Sequence, residues 1–285
     1  LTIFYPDISS AQEGIDLKGA TAVCAKATQG TGYVNPDYAR AKANAASHGV
    51  FFFAYHFLEA GNAAAQAAHC HSVVAGLTSL MVDVEITGTS RPSVADTQEF
   101  VDAYRKLGGV CYLVYLPRWY WSGKPVDGCL GSPDLSGLHS RGLRLVSSAY
   151  TTYSDSKDAT GWQPYGGMTP TIWQYTSSAQ FNGKTVDLNA FRGTLLEFGS
   201  IVTTGKMPPP APVRHVVPAG NTQTLEGVAR QRNVAVEHLV SLSTANLNPQ
   251  NLAVLNAYLA LDNALHTAAR PRPAMPEGLV YYTSN

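Results

Sequence analysis

The stretch "GVFFFAYHFLEAGNAAAQAAHCHSVVAGLTSLMVDVEITG", residues 49–88, holds two strand-like apolar runs with an alanine-rich helical pattern between them. The runs at 49–58 and 77–86 are short and continuous, with aromatic or β-branched residues, as strands buried on both faces are. The middle segment, 62–76, is rich in alanine and stops at Gly76, a helix with a glycine terminator. Strand, helix, strand is the crossover that a parallel sheet requires. The same alternation continues on either side. Strands are expected at 21–27 and 109–116. One helix is expected from Asn35, as N-cap ahead of Pro36, to Gly49, and another from near Pro92 to Gly108 and Gly109. Enough such repeats close the sheet into a barrel.

After residue 140 the helical patterns fade. "LRLVSSAY" (143–150), "PTIWQYTS" (170–177) and "KTVDLNAF" (184–191) read as strands, but the segments that join them are rich in Ser, Thr, Gly and Asp. The expected class is α/β, an irregular TIM-like (β/α) barrel over residues 1–200 whose helices are sparse in the second half. Four prolines occupy the five positions 208–212, so residues 201–213 read as a semi-rigid extended spacer. Residues 214–285 then form a small α+β unit. A short strand "HVVPAG" leads into two helical patterns, "TLEGVARQRN" and "AVEHLVSLSTAN", and a strand-like "GLVYYT" ends it.

Composition narrows the partners. Lys plus Arg and Asp plus Glu are 20 each among 285 residues, so no basic field marks a nucleic acid or an anionic membrane as ligand. Charged residues are 14% and aromatics 10%, with 15 Tyr, a balance that suits a neutral, polyhydroxylated ligand lying on rings. No apolar run approaches the ~20 residues that span a bilayer. The chain opens at Leu1 without a signal-like stretch, so an export route is not legible, and an upstream piece is expected to have been removed or left out.

Within "LMVDVEITG" (80–88), Asp83 and Glu85 stand two apart in an apolar run. In a strand, positions i and i+2 share a face. Burial and mutual repulsion should therefore raise the pKa of at least one, the condition for a general acid beside a second, ionised carboxylate. An acid pair at a strand end is also a common structural motif, half exposed and paired with a lysine. Two further acids favour catalysis: Asp7 in "FYPDISS" follows the first apolar run, and Asp187 in "TVDLN" the last. The C-terminal strand ends of a parallel barrel open on one face, which would bring all four together.

Five ordered motifs carry a family resemblance: "DIS" near the start, "KATQGTGYVNPDY", "AYHF", "DVE" and "WQYTS…VDLNAF". Over roughly residues 1–198 the chain resembles the family-25 glycoside hydrolases, the Chalaropsis-type lysozymes. It departs from their pattern at Gln29, where the family usually carries Glu. The resemblance implies hydrolysis of the β-1,4 bond between N-acetylmuramic acid and N-acetylglucosamine in peptidoglycan, on the bacterial cell wall, without metal or cofactor. By motif, Glu85 is the general acid, Asp83 the second catalytic carboxylate, and Asp7 and Asp187 site-forming acids. The favoured route is substrate-assisted and retaining, with Asp83 steering the substrate's N-acetyl group. The rival is a catalytically silent peptidoglycan-binding protein using the same groove.

Tyr55, Tyr115, Trp173, Tyr175 and Trp119 lie at or just beyond strand ends and are the candidate sugar-binding rings, with Trp121 evenly divided between groove and core. His69-Cys70-His71 is not a metal site, because successive helical positions diverge by ~100°. His56 should face away from Tyr55 and is read as structural, and Lys26 could contact Gln29 or an acid. Cys24 reads as a buried hydrophobe. Cys111 and Cys129 could close a disulfide outside the cytosol, although four cysteines allow three connectivities. The C-terminal unit is similar to a LysM peptidoglycan-binding module at "GNTQTLEGVA", with "LNPQNLAVLNAYLALDNALHTAARPRPAM" as a long insertion before the closing strand.

Overall fold

A computed structural model describes residues 1–74, 76, 78–122, 131–208, 213–217, 223–231, 236, 239–240, 243, 246–267, 274–275 and 279–283. The chain divides into two compact units, Leu1–Pro208 and Pro209–Asn285.

The first unit contains strands β1 (Thr2–Ile8), β2 (Ala22–Gln29), β3 (Tyr33–Val34), β4 (Phe51–Phe57), β5 (Ser79–Asp83), β6 (Val110–Tyr115), β7 (Arg144–Ser148), β8 (Pro170–Phe181) and β9 (Lys184–Arg192). Its helices are α1 (Tyr38–Ser47), α2 (Ala63–Val74), α3 (Val94–Lys106), the single turns α4 (Arg118–Trp121) and α5 (Ser136–His139), and α6 (Leu195–Thr204). The sheet order is β1-β9-β8-β7-β6-β5-β4-β2, and β1 pairs with β2, so eight strands close a ring and β3 hangs from β2. The barrel is as expected, with full helices between its early strands and, in its second half, the single turns α4 and α5 followed by one full helix, α6.

One departure concerns direction. The ladders from β1 through β2, β4, β5, β6, β7 to β8 are parallel, but β9 runs antiparallel to both β8 and β1. The cause is legible at "NG": Asn182 and Gly183 both have positive φ, 44° and 79°, and turn β8 straight back into β9. Two left-handed residues match the strand twist, and Asn-Gly supplies them at least cost.

Strand alternation sorts the side chains into two cores. One set faces the helices: Val23, Ala25, Ala54, Leu80, Val82 and Val114 pack with Ala41, Ala67, Phe100 and Tyr104. The other fills the barrel: Ile3, Tyr5, Phe53, Met81, Leu113, Val146, Ile172 and Phe191, with Phe198 from α6 as a plug against Tyr5, Phe51, Phe53 and Phe191. Helix ends are fixed locally. Capping boxes at Ser93/Asp96 and Thr194/Glu197 start α3 and α6. The first helix begins at Tyr38 rather than at Pro36, because Asn35 Oδ1 accepts from the Asp37 N–H and holds a turn there.

Cys24, Cys70 and Cys111 are buried free thiols, Cys24 inside the barrel and the other two in the helix layer. Cys129, the second member of the expected disulfide, lies outside the described residues.

In the second unit β10 (Val213–Val216) pairs antiparallel with β11 (Val280–Thr283), and helices α7 (Leu225–Gln231) and α8 (Pro249–Thr267) share a core of Leu225, Val228, Leu239, Leu255, Tyr258 and Leu279. Strands lie at or near both segments read as strands, and the segment read as an insertion contains the 19-residue α8. Most of "AVEHLVSLSTAN" and the spacer prolines Pro209, Pro210 and Pro212 lie outside the described residues.

Candidate active site

The barrel interior is apolar below and polar at one end. Reading upward, Tyr5 gives way to Asp7 on β1, Cys24 to Lys26 on β2, Phe53 to Tyr55 on β4, Met81 to Asp83 on β5, Leu113 to Tyr115 on β6, and Ile172 to Gln174 on β8. Each step is two residues along one strand face. Because β9 is antiparallel, Asp187 near its beginning lies directly across from Asp7. The convergence expected of the four acids therefore holds, but Asp187 arrives on a descending strand rather than at a C-terminal strand end.

These groups surround a hollow of about 180 Å³ that is lined by Asp7, Asp83, Glu85 and Asp187, with Lys26 as the cation among its walls. Asp83 closes β5 and is only 7% exposed. Glu85 follows on the loop, where Val84 is pinned from both sides: its N–H donates to the Tyr115 carbonyl at 3.0 Å, and its carbonyl accepts from Trp121 Nε1 at 2.7 Å. Trp121 is thereby a fully buried prop under the acid pair and not a groove residue.

Four carboxyls this close cannot all ionise cheaply. Burial, more than any neighbour, lifts Glu85 to about 7, and the Asp7 charge adds to it. Asp187 rises to about 7 for the same reasons, burial first and then Asp7 and Glu85. Asp83 is pushed well above the usual carboxylate range by burial and by the Glu85 charge, and Lys26 opposes this. The expectation is an ionised Asp83 beside the general acid; burial and the Glu85 charge shift it toward its protonated form, and its Oδ1 has no hydrogen-bond partner among the described residues. Asp7 is also raised by burial, but it alone of the three aspartates accepts two well-formed bonds, from Asn189 Nδ2 at 2.7 Å and Gln174 Nε2 at 2.9 Å.

Of the expected rings, Tyr55 and Tyr115 line the acid hollow. Tyr175 lines a larger adjoining hollow of about 660 Å³ with Tyr150, Tyr153 and the Ser and Thr residues at 151–152 and 176–178. Trp119, 51% exposed, borders a third hollow with Arg118 and Tyr150. Trp173 is placed differently from expectation. It is wholly buried, donates from Nε1 to the Ala149 carbonyl at 2.8 Å, and packs against Tyr153, Trp162 and Tyr175. Alternation along β8 gives the mouth to Gln174 and the outer face to Trp173.

Sequence reasoning missed Gln174, Asn189 and Tyr150. The first two are polar residues at interior strand positions, a signal visible once the direction of β9 is known. Tyr150 borders all three hollows. His56 faces the helices, stacked on Phe100 and bonded to Thr28 and Gln66; burial lowers it to about 3, so it is neutral. Lys26 Nζ donates to Gln29 at 2.6 Å, and Gln29 donates to Glu59 at 2.9 Å, which brings a carboxylate beside the position where Gln29 lacks one. Cys70 points into the core while the half-buried His69 contacts the Tyr33 carbonyl, so the two diverge.

Comparison with known proteins gives a consistent picture. The sequence profile of Glycosyl hydrolases family 25 matches residues 6–184. Among solved structures, the chain is similar to a muramidase from Trichobolus zukalii, at 23% identity and a TM-score of 0.57, over 70% of this chain and 98% of that one. A family GH25 lysozyme from Aspergillus fumigatus is 21% identical with a TM-score of 0.57, over 71% of this chain and 100% of that one. A bacterial lysozyme from Streptomyces coelicolor has the same identity and score, over 72% and 98%. No curated protein matches it in sequence. At these identities the structural likeness establishes the fold, and the profile establishes the family.

Proposed function

The chain belongs to glycosyl hydrolase family 25, and from that premise we propose that it is a muramidase, cleaving the β-1,4 bond between N-acetylmuramic acid and N-acetylglucosamine in peptidoglycan. The observation that carries this reading is the acid hollow, in which Glu85 is lifted to about 7 at the junction of aromatic, hydroxyl-lined surfaces. A carboxyl protonated near neutrality can give its proton to the glycosidic oxygen as that bond breaks. The charge that develops on the sugar is then opposed by the surrounding carboxylates.

Asp83 is proposed to act through the substrate. Its Oδ1, buried and without a hydrogen-bond partner among the described residues, is an acceptor for which the N–H of a substrate acetamido group is a fitting donor. Bound there, the amide favours the ionised form of Asp83, and its own carbonyl oxygen is free to attack the anomeric carbon. Water then opens the cyclic intermediate with Glu85 as base, and configuration is retained. Asp7 and Asp187 are proposed to shape the site around this pair. Tyr55, Tyr115, Tyr175 and Trp119, with Tyr150, are proposed to carry the sugar rings.

Residues 214–285 are proposed to hold the enzyme on the wall, a reading that rests on the LysM-like "GNTQTLEGVA". The site of action is then the bacterial cell wall. The test of the catalytic reading is release of reducing ends from purified walls. Wild type is expected to release them with clearing of the suspension, and Glu85→Gln to lose at least about a thousandfold, the scale of a missing general acid. Equal rates in the two proteins would remove Glu85 from its role. Inactivity of both would leave a silent glycan binder.

A further inference from the structure

We propose that Gln174 is the positioning residue of this site: one buried amide, bonded at its nitrogen to Asp7 and Asp187 and at its oxygen to Tyr115 and Tyr150, fixes which carboxylate carries charge and ties that arrangement to the tyrosine between the hollows. The proposal rests on the muramidase reading for its substrate, but its geometry stands apart from it.

Gln174 lies on β8, 5% exposed, between Ser148 of β7 and Asn189 of β9 in the ladder. Its Nε2 donates to Asp7 Oδ2 at 2.9 Å and, at a longer 3.4 Å, to Asp187 Oδ2. Its Oε1 accepts from the Tyr115 hydroxyl at 2.8 Å and the Tyr150 hydroxyl at 2.9 Å. Only one orientation of the amide satisfies all four, because ionised carboxylates accept and cannot donate, whereas tyrosine hydroxyls can do both. No donor or acceptor of this side chain is left over. A fully used amide at the centre of four functional side chains does more than fill space.

The consequence for charge follows from the neighbours. Facing Asp7 are Cys24 beside it on β2, Asp187 across β9, and Glu85 and Asp83 from the end of β5. Tyr5, on Asp7's own strand, and Tyr55 complete the surroundings, and Lys26 supplies the positive charge. Of the four acids Asp7 accepts the most hydrogen bonds from the described residues, so it is the member best able to stay ionised. Its charge in turn discourages ionisation of Glu85. Removing the Gln174 donor weakens the Asp7 charge and lets Glu85 release its proton at lower pH. Removing the Gln174 acceptor leaves the Tyr150 hydroxyl, on a ring that is 56% exposed, with the neighbouring Tyr115 hydroxyl as its partner.

The experiment compares wild type with Gln174→Leu, Gln174→Glu and Tyr150→Phe. The Glu85 carboxyl is titrated by carbon NMR, which needs no substrate, and KM and kcat are followed against pH on glycan. Gln174→Leu is expected to lower the Glu85 titration by about half a unit or more, move the alkaline limb of the rate profile with it, and raise KM. It should lose about tenfold in kcat/KM, the scale of about one net hydrogen bond. Gln174→Glu keeps the shape and, while protonated at pH 5, keeps a donor toward Asp7 and an acceptor for both hydroxyls, so it should restore most of the loss there. Tyr150→Phe should raise KM while the Glu85 titration stays in place, a measurement that survives if Gln174→Leu does not fold. An unmoved Glu85 titration in Gln174→Leu, no recovery in Gln174→Glu, or an unchanged KM in Tyr150→Phe would overturn the proposal. A wild type inactive on walls but with the expected NMR shifts would overturn the muramidase reading alone.

Discussion

At the scale of single residues the acid cluster is a compromise between chemistry and stability. Glu85 has its folded pKa raised from 4.5 to about 7, chiefly by burial. The sign follows from linkage: the folded state holds this proton more tightly than the unfolded chain, so the stability it contributes is full below about pH 4.5 and is lost as pH rises through about 7. Asp187 and Asp83 shift in the same direction. Ionising the cluster therefore costs folding free energy in the pH range where the acid must still hold its proton. Asp83→Asn, which removes one buried charge and its repulsion, is expected to raise the melting temperature at pH 8 by about 3 °C, or roughly 1 kcal/mol in a domain of this size. The gain should shrink at pH 5, below the value of about 7 to which Glu85 and Asp187 are raised, while activity falls at both. Calorimetry of the two proteins at the two pH values checks it. The alkaline limb of activity should lie near pH 7 in wild type and move to lower pH in Asp7→Asn, since the Asp7 charge is the second cause of the Glu85 shift.

At the scale of elements, what matters is how strand ends are held. The ladder of β5 stops at Asp83, and Glu85 is carried by a loop whose fixed point is Val84, bonded to the Tyr115 carbonyl and to Trp121. Trp121→Phe keeps a ring in the core but leaves the Val84 carbonyl without that donor. It should cost about 1 kcal/mol in stability and lower kcat more than it raises KM, because Glu85 moves and the sugar-binding rings do not. Denaturation curves beside steady-state kinetics on soluble glycan separate the two effects, and a loss confined to KM would assign Trp121 to the groove. The strands themselves were legible in the sequence because continuous apolar runs bounded by glycine admit few other readings. Two things were not. The direction of β9 depended on reading Asn182-Gly183 as a tight hairpin rather than as one more loop. The faces of β8 depend on that same ladder, and without it the larger ring, Trp173, reads as belonging to the mouth that alternation gives to Gln174.

For the whole molecule the question is what a second unit adds to a barrel that already contains a complete acid hollow. The four acids were legible because each sits next to an apolar run, and their convergence follows from barrel closure, a global property that no single motif displays. The role of residues 214–285 has no comparable anchor. "GNTQTLEGVA" suggests glycan binding, yet the insertion is helical over Pro249–Thr267, and its core of Leu225, Leu239, Leu255 and Leu279 would be needed by any small packing domain. Function and packing make different demands on a truncated chain. The first unit has its own apolar cores inside the barrel and under its helices. A protein ending at Pro208 should therefore fold and should cleave soluble glycan fragments within about twofold of the full chain, since tethering changes local concentration and not the chemistry. On insoluble walls the full chain gains from an anchor that converts each further encounter into a local one, an advantage that can reach about a hundredfold. Sedimentation with purified walls should then retain the full chain and lose the truncated one, with wall clearing falling at least about tenfold at low enzyme concentration. Equal sedimentation and equal clearing would mean that the second unit does not hold glycan. A truncated chain that fails to fold would mean that residues 1–208 do not fold without the rest of the chain.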